Sequence, residues 1–136
     1  MSPILLDTHA AIWAGSNTLR PEAEVAINAA AARGELLISP ISAWELGTLV
    51  KKGRIRLHVP VEQYVRSLFG RPGVVIAQLS PLIAVASTTL PGAFHADPAD
   101  RLLVATAAEY GAVFVTRDKQ IQDYAQATKH LQCLDC

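Results

Sequence analysis

Four acidic residues, Asp7, Glu45, Asp100 and Asp118, stand where the chain passes from an apolar run into a helical pattern or opens a helix. Carboxylates gathered at one edge of a fold repel one another. A hard divalent cation such as Mg²⁺ or Mn²⁺ removes that repulsion and prefers oxygen ligands. Such a site suits phosphodiester hydrolysis: the metal holds the scissile phosphate, activates a water and stabilises the leaving oxygen. The carboxylates then serve mainly as ligands, and one of them is free to orient or deprotonate the water.

The elements that must position these acids are legible as an alternation. Strand-like runs fall at 3–6, 36–38, 74–79 and 112–115, with a candidate edge strand at 131–134. Helical patterns fall between them. One runs from about residue 10. A second opens at Pro21, with Glu22 and Glu24 in its first turn and Gly34 past its end. Others are expected at 42–52, closed by Gly53, and at 61–69. Ser80-Pro81 opens a short helix, and Leu90-Pro91-Gly92 begins a loop. Asp97-Pro98 opens a helix to Tyr110 that Gly111 ends, and Asp118 begins the last one. Alternation of this kind predicts an α/β fold, with a mostly parallel sheet flanked by helices on both faces, as one domain over 1–136. Ligand sites in such sheets lie beyond the carboxyl ends of the strands. Asp7 follows the first strand and Asp118 the 112–115 strand. Glu45 and Asp100 are expected in first helical turns.

The same positions suit helix caps. Ser42-Ala43-Trp44-Glu45 fits a capping box. Asp97 before Pro98 reads as an N-cap, which puts Asp100 at the third helical position; Asp118 also suits a cap. Three features favour a metal site. Thr8 is a better cap than Asp7. Asp100 shares a helical face with Leu103 and Ala107, a stripe that should be buried, and no lysine or arginine at i+4 supplies the partner a buried carboxylate needs. Finally, convergence of four acids demands a cation.

The segments Ile4-Leu5-Leu6-Asp7-Thr8, Ser42-Ala43-Trp44-Glu45-Leu46, Asp97-Pro98-Ala99-Asp100-Arg101-Leu102-Leu103 and Val115-Thr116-Arg117-Asp118 resemble, in order and spacing, those of PIN domains. In particular they resemble the VapC-type toxins of bacterial toxin–antitoxin pairs. The resemblance covers essentially the whole chain. It implies a three-layer α/β/α sandwich and a Mg²⁺- or Mn²⁺-dependent endoribonuclease. Asp7, Glu45, Asp100 and Asp118 match the acidic ligand positions, Thr116 a bracing hydroxyl, and Thr8 the residue that follows the first acid. Asp97 matches a variant of the third motif. The resemblance also implies an RNA substrate, a homodimer, and a cognate antitoxin that inserts a peptide at the active site.

Other groups carry less chemistry. Lys51, Lys52, Arg54 and Arg56 form a basic run that suits an RNA-phosphate or antitoxin contact, or a solvated helix end. Arg101 and Arg117 flank acids and are candidates to steady them, to contact phosphate or to form surface ion pairs. His9 and His95 lack metal-ligand spacing, and packing is expected of them. Trp13 and Trp44 are expected in the core. Ser39 and Ser42 have no triad-like partners. Cys133 and Cys136, spaced C-x-x-C, have no following helix to lower a thiol pKa and are expected to be incidental.

Composition narrows the classes. Hydrophobic residues make up 51% and charged residues 18%, which excludes disorder. Twelve basic and twelve acidic side chains give zero net charge, so a bulk polycation is excluded while a local basic patch is not. The N-terminus has no basic n-region or long apolar h-region, and no apolar stretch reaches the roughly 20 residues of a membrane span. A cytoplasmic protein is expected. Two alternatives compete. A non-catalytic binding module on the same fold would be expected to have lost one or more acids. A phosphoaspartate hydrolase with Asp7 as nucleophile would want an acid at the position of His9.

Overall fold

The computed structural model describes all of residues 1–136. Its elements run β1 (Ile4–Leu6), α1 (Thr8–Trp13), α2 (Pro21–Arg33), β2 (Leu36–Ile38), α3 (Pro40–Lys51) and α4 (Val61–Phe69). There follow β3 (Val74–Ile76), α5 (Pro81–Ala86), α6 (Pro98–Tyr110), β4 (Val113–Val115), α7 (Lys119–Thr128) and β5 (Gln132–Leu134). The sheet order is β3-β2-β1-β4-β5, and every pairing is parallel.

Strand alternation builds two cores. Leu5, Leu37 and Phe114 point to one face, where they meet Ile83 of α5, Leu103 and Val104 of α6, and Ile121 and Tyr124 of α7. Their neighbours Ile4, Leu6, Leu36, Ile38 and Val115 point to the other, against Ala10, Ala11, Ala23, Ile27 and Leu68. Three-residue strands buried on both faces read as continuous apolar runs, as parallel strands do. The result is the expected three-layer α/β/α sandwich. No helix is long and apolar enough to cross a membrane.

The boundaries differ from expectation in three places, each because of a cap. Helix α1 begins at Thr8, not near residue 10, because Asp7 caps it. Helix α3 begins at Pro40, not Ser42. Ser39 Oγ accepts the Ile41 N–H at 3.0 Å, and Pro40 takes the first helical position. Strand β3 ends at Ile76 rather than Leu79, since after the Ala77 N–H bonds to the Ile38 carbonyl the chain turns toward the Ser80 cap of α5.

Order reverses between β1 and β4. From β1 the chain moves outward through β2 to β3; it then returns through α5 and α6 to the other side of β1 and continues to β5. That is a topological switch point, the place where open α/β sheets bind ligands.

Two glycines with positive φ separate two costs. Gly111 ends α6 at φ +61°, with open space where a side chain would go. Gly73, at φ +83°, would place a Cβ 2.1 Å from the Ala31 carbonyl oxygen of α2. Gly111→Ala should therefore cost about 1 kcal/mol, the price of the left-handed backbone alone. Gly73→Ala should cost about 2–4 kcal/mol, because backbone must move as well. Urea unfolding midpoints at unchanged m value measure both; equal losses would contradict the close approach.

Candidate active site

Parallel register places Leu6 opposite Val115, so Asp7 and Thr116 leave the sheet side by side. The Asp7 N–H donates to the Val115 carbonyl at 3.0 Å. Thr116 is fully buried. Its Oγ1 donates to Asp7 Oδ2 at 2.6 Å and accepts the Asp118 N–H at 3.1 Å. Asp7 Oδ1 takes the Thr8 N–H at 2.8 Å. Asp118 Oδ1 accepts the N–H groups of Gln120 and Ile121 at the start of α7. One threonine thus ties the acids after β1 and β4 into a unit.

Thr8 ties in the next element. Its hydroxyl donates to Glu45 Oε1 at 2.5 Å, and Ser42 Oγ lies 3.0 Å from the Thr8 Oγ1 itself. Thr8 has one hydrogen to give, so with Glu45 ionised Ser42 is the donor in the second contact. The cap expected of Thr8 is supplied by Asp7 instead. The capping box expected at Ser42–Glu45 is also absent. Since α3 starts at Pro40, Glu45 falls in its second turn, past any amide it could cap.

Asp100 lies at the third position of α6, as expected. Asp97 Oδ1 caps that helix by accepting the Asp100 N–H at 3.0 Å. The stripe beneath Asp100 is buried, with Leu103 and Ala107 fully inaccessible. Its neighbour is a histidine, where packing alone was expected. His95 Nε2 lies 3.3 Å from Asp100 Oδ2. The Asp97 N–H points at His95 Nδ1, 3.3 Å away, and an amide only donates, so Nδ1 is the acceptor. The contact to Asp100 falls short of hydrogen-bond alignment, leaving buried Nε2 without a partner.

The four acids and Asp97 line one concavity of about 420 Å³, together with Thr8, His9, Trp13 and Arg117. Burial raises the pKa of Asp7, opposed by the bonds from Thr116 and Thr8. Burial also raises that of Glu45, opposed by the Thr8 bond. Asp100 is pushed up to about 7, first by desolvation and then by repulsion from Asp97, Asp7, Glu45 and Asp118. No three His, Cys, Asp or Glu side chains close into a ready-made metal cage. The arrangement is an open acidic mouth rather than a closed coordination shell.

Several other residues sit differently from expectation. Arg101 pairs with no carboxylate. Its Nε donates to the Ser87 carbonyl, and its Nη1 to those of Phe94 and His95, so it holds the loop that carries His95. Arg117 pairs with no side-chain carboxylate; its Nη2 donates to the main-chain oxygens of Thr18 and Cys136. Trp44 is 63% exposed rather than in the core, and Trp13 lies half-buried on the rim of the concavity. Lys51, Lys52, Arg54 and Arg56 are exposed and do not line the concavity. Burial raises Cys133 to about 12, and both thiols are free.

A parallel sheet with an acidic edge at its switch point defines a class. The PIN domain family model matches residues 4–127, and the chain belongs to the PIN-domain family. Within it, the chain is 36% identical over 126 residues to Ribonuclease VapC22 of Mycobacterium tuberculosis, covering 91% of this chain and 93% of that protein. Among solved structures it is similar to VapBC2 from Rickettsia felis bound to a promoter DNA fragment, with TM-score 0.67, 16% identity and 97% of each chain covered. It is also similar to DNA-bound VapBC from Salmonella typhimurium, with TM-score 0.58, 19% identity, and 99% and 98% covered. At those identities the two structures bear on the fold.

The raised pKa of Asp100 has a sign that stability can read. Unfolded, the group ionises near 3.8; folded and free of metal, near 7. Between those values the folded chain holds a proton that the unfolded chain has lost. The contribution is fully present below pH 3.8 and disappears as pH rises through 7. In EDTA, Asp100→Asn should therefore raise the melting temperature at pH 7.5 by about 5 °C. The gain should vanish near pH 4. An unchanged or lower melting temperature at pH 7.5 would show that Asp100 ionises there without strain.

Proposed function

We propose that this chain is a Mg²⁺- or Mn²⁺-dependent endoribonuclease and the toxin of a toxin–antitoxin pair. The observation that carries the reading is the mouth itself. Asp7, Glu45, Asp100 and Asp118 share one concavity, and no lysine or arginine lies within ion-pair distance of any of them. All-oxygen donors, unneutralised and destabilised by mutual repulsion, fit a hard divalent cation. An open mouth suits Mg²⁺, which keeps several waters and binds through few carboxylates together with substrate phosphate. The relative's name, a ribonuclease, supports RNA as substrate. The resemblance to VapC-type toxins supports an antitoxin partner.

The four acids would hold the metal. When bound, it supplies Lewis acidity that polarises the phosphoryl group and makes water a better nucleophile. The chain's own groups do the rest. Thr116 and the Thr8 amide fix both oxygens of Asp7, so its carboxylate keeps one orientation. Thr8 aims Glu45 from α3 toward the strand ends. Asp100, on the first turn of α6, stands at the same edge, and one of the four acids is free to orient the attacking water. Asp7 as a phosphate-accepting nucleophile has no such support, because the position two residues on, where that chemistry wants a second acid, is His9.

Purified protein should cleave RNA in Mg²⁺ or Mn²⁺ and not in EDTA. Asp7→Asn and Asp100→Asn should each lower the rate at least 100-fold or so, beyond the effect typical of outer-shell changes. Expression without a partner should arrest growth, and Asp7→Asn should relieve the arrest. Cleavage untouched by either substitution would place the site elsewhere; a chain harmless to growth would remove the toxin role.

A further inference from the structure

The acidic mouth has a wall that hydrolysis leaves unused. His9 and Trp13 lie four residues apart on α1, so they share a face. Their ring centroids are 5.2 Å apart, with the planes tilted by 45°. The Arg117 guanidinium carbon lies 4.6 Å from the Trp13 ring centroid. Nη2 of that arginine is pinned by the main-chain oxygens of Thr18 and Cys136, at 2.9 and 2.6 Å. Nη1 and Nε make no hydrogen bond within the chain. Three planar groups therefore stand in a row, and all three line the concavity that holds the acids.

Core packing does not account for this row, because His9 and Arg117 are exposed and Trp13 is only half-buried. Charge does not account for it either. Arg117 is the one lysine or arginine lining a concavity with five carboxylates, yet it pairs with none of them. A guanidinium held by main-chain oxygens through Nη2 alone, with donors to spare, is prepared to take an anion from solvent. An exposed imidazole backed by an indole presents a flat, polarisable surface beside it. A nucleotide has both complementary parts, a base with two π-faces and a phosphate.

We propose that His9, Trp13 and Arg117 form a nucleotide subsite at the edge of the acidic mouth, where an unpaired RNA base stacks on the His9–Trp13 pair and its phosphate meets the free edge of Arg117. The proposal rests on the ribonuclease reading and deepens it. Stacking on a side chain needs an unstacked base, which loops, bulges and single strands offer and an A-form duplex does not. The subsite therefore selects single-stranded RNA and tolerates any base.

The chain has two tryptophans, so Trp44→Phe leaves Trp13 as the only indole and removes an exposed side chain outside the site. The Trp44→Phe protein is first assayed for RNA cleavage in Mg²⁺. Its Asp7→Asn derivative is then titrated in Mg²⁺ with a short single-stranded oligoribonucleotide while indole emission is followed; a gel confirms that the strand stays intact. Saturable quenching is expected. An abasic strand of the same length and a blunt RNA duplex should quench little. His9→Ala should weaken the binding of the base-bearing strand about 10-fold and leave that of the abasic strand unaltered. Cleavage by Trp44→Phe without any quenching would overturn the subsite and leave the ribonuclease standing. Equal quenching by the abasic strand would overturn base stacking. Absence of cleavage by Trp44→Phe would overturn the ribonuclease reading and the subsite with it.

Discussion

One threonine sets the geometry on which the site depends. Thr116 gives its hydroxyl hydrogen to Asp7 and takes the amide hydrogen of Asp118. It reaches both because β1 and β4 pair in register, Leu6 against Val115, at the point where the sheet reverses its order. A buried hydroxyl left unpaired would cost about 1–3 kcal/mol, so the fold gains by keeping both bonds. Valine there would keep the shape and lose both bonds. The hydrogen bond that orients the first acid is thus also one that joins the two ends of the chain, residues 109 positions apart.

The acids resolve an opposition that the sequence leaves open. Capping and ligation were competing explanations, yet a carboxylate has two oxygens. Asp97 and Asp118 cap α6 and α7 through one oxygen each. Their second oxygens stay available at the same edge. Helix N-termini carry partial positive charge, which favours ionised carboxylates there. Three helix starts, those of α1, α6 and α7, therefore help to hold the negative charge in place. The offset is incomplete at Asp100, which faces four other acids and stays near neutrality.

The fold and the acidic edge were legible because they rest on short-range rules. Alternating apolar runs gave the strands, Gly34 and Gly111 gave helix ends, and acids after strands gave the edge. Glu45 was placed correctly at that edge for a wrong local reason. Two serines compete to start α3, and Ser39 wins because Pro40 fits the first turn and cannot be placed deeper in the helix. Trp44 and Arg101 were misread because their surroundings come from distant segments. A tryptophan beside aliphatics on a helix can lie inside or outside the core, according to what packs on it. Arg101 follows an acid in sequence, yet its guanidinium turns to carbonyls 6, 7 and 14 residues earlier.

That turn of Arg101 explains how a loop can carry a site residue with some precision. Residues 87–97 link α5 to α6 without a strand to hold them. One guanidinium satisfies three of their carbonyls, and the Phe94 ring packs 4.7 Å from Tyr124 of α7. His95 then has little freedom. Its Nδ1 faces the amide of the capping Asp97, and its Nε2 is turned to Asp100. Four neighbouring acids repel the Asp100 carboxylate, and His95 Nε2 makes no aligned hydrogen bond to it. The loop thus leaves Asp100 without a cationic partner, and the one arginine of the concavity, Arg117, pairs with none of the carboxylates.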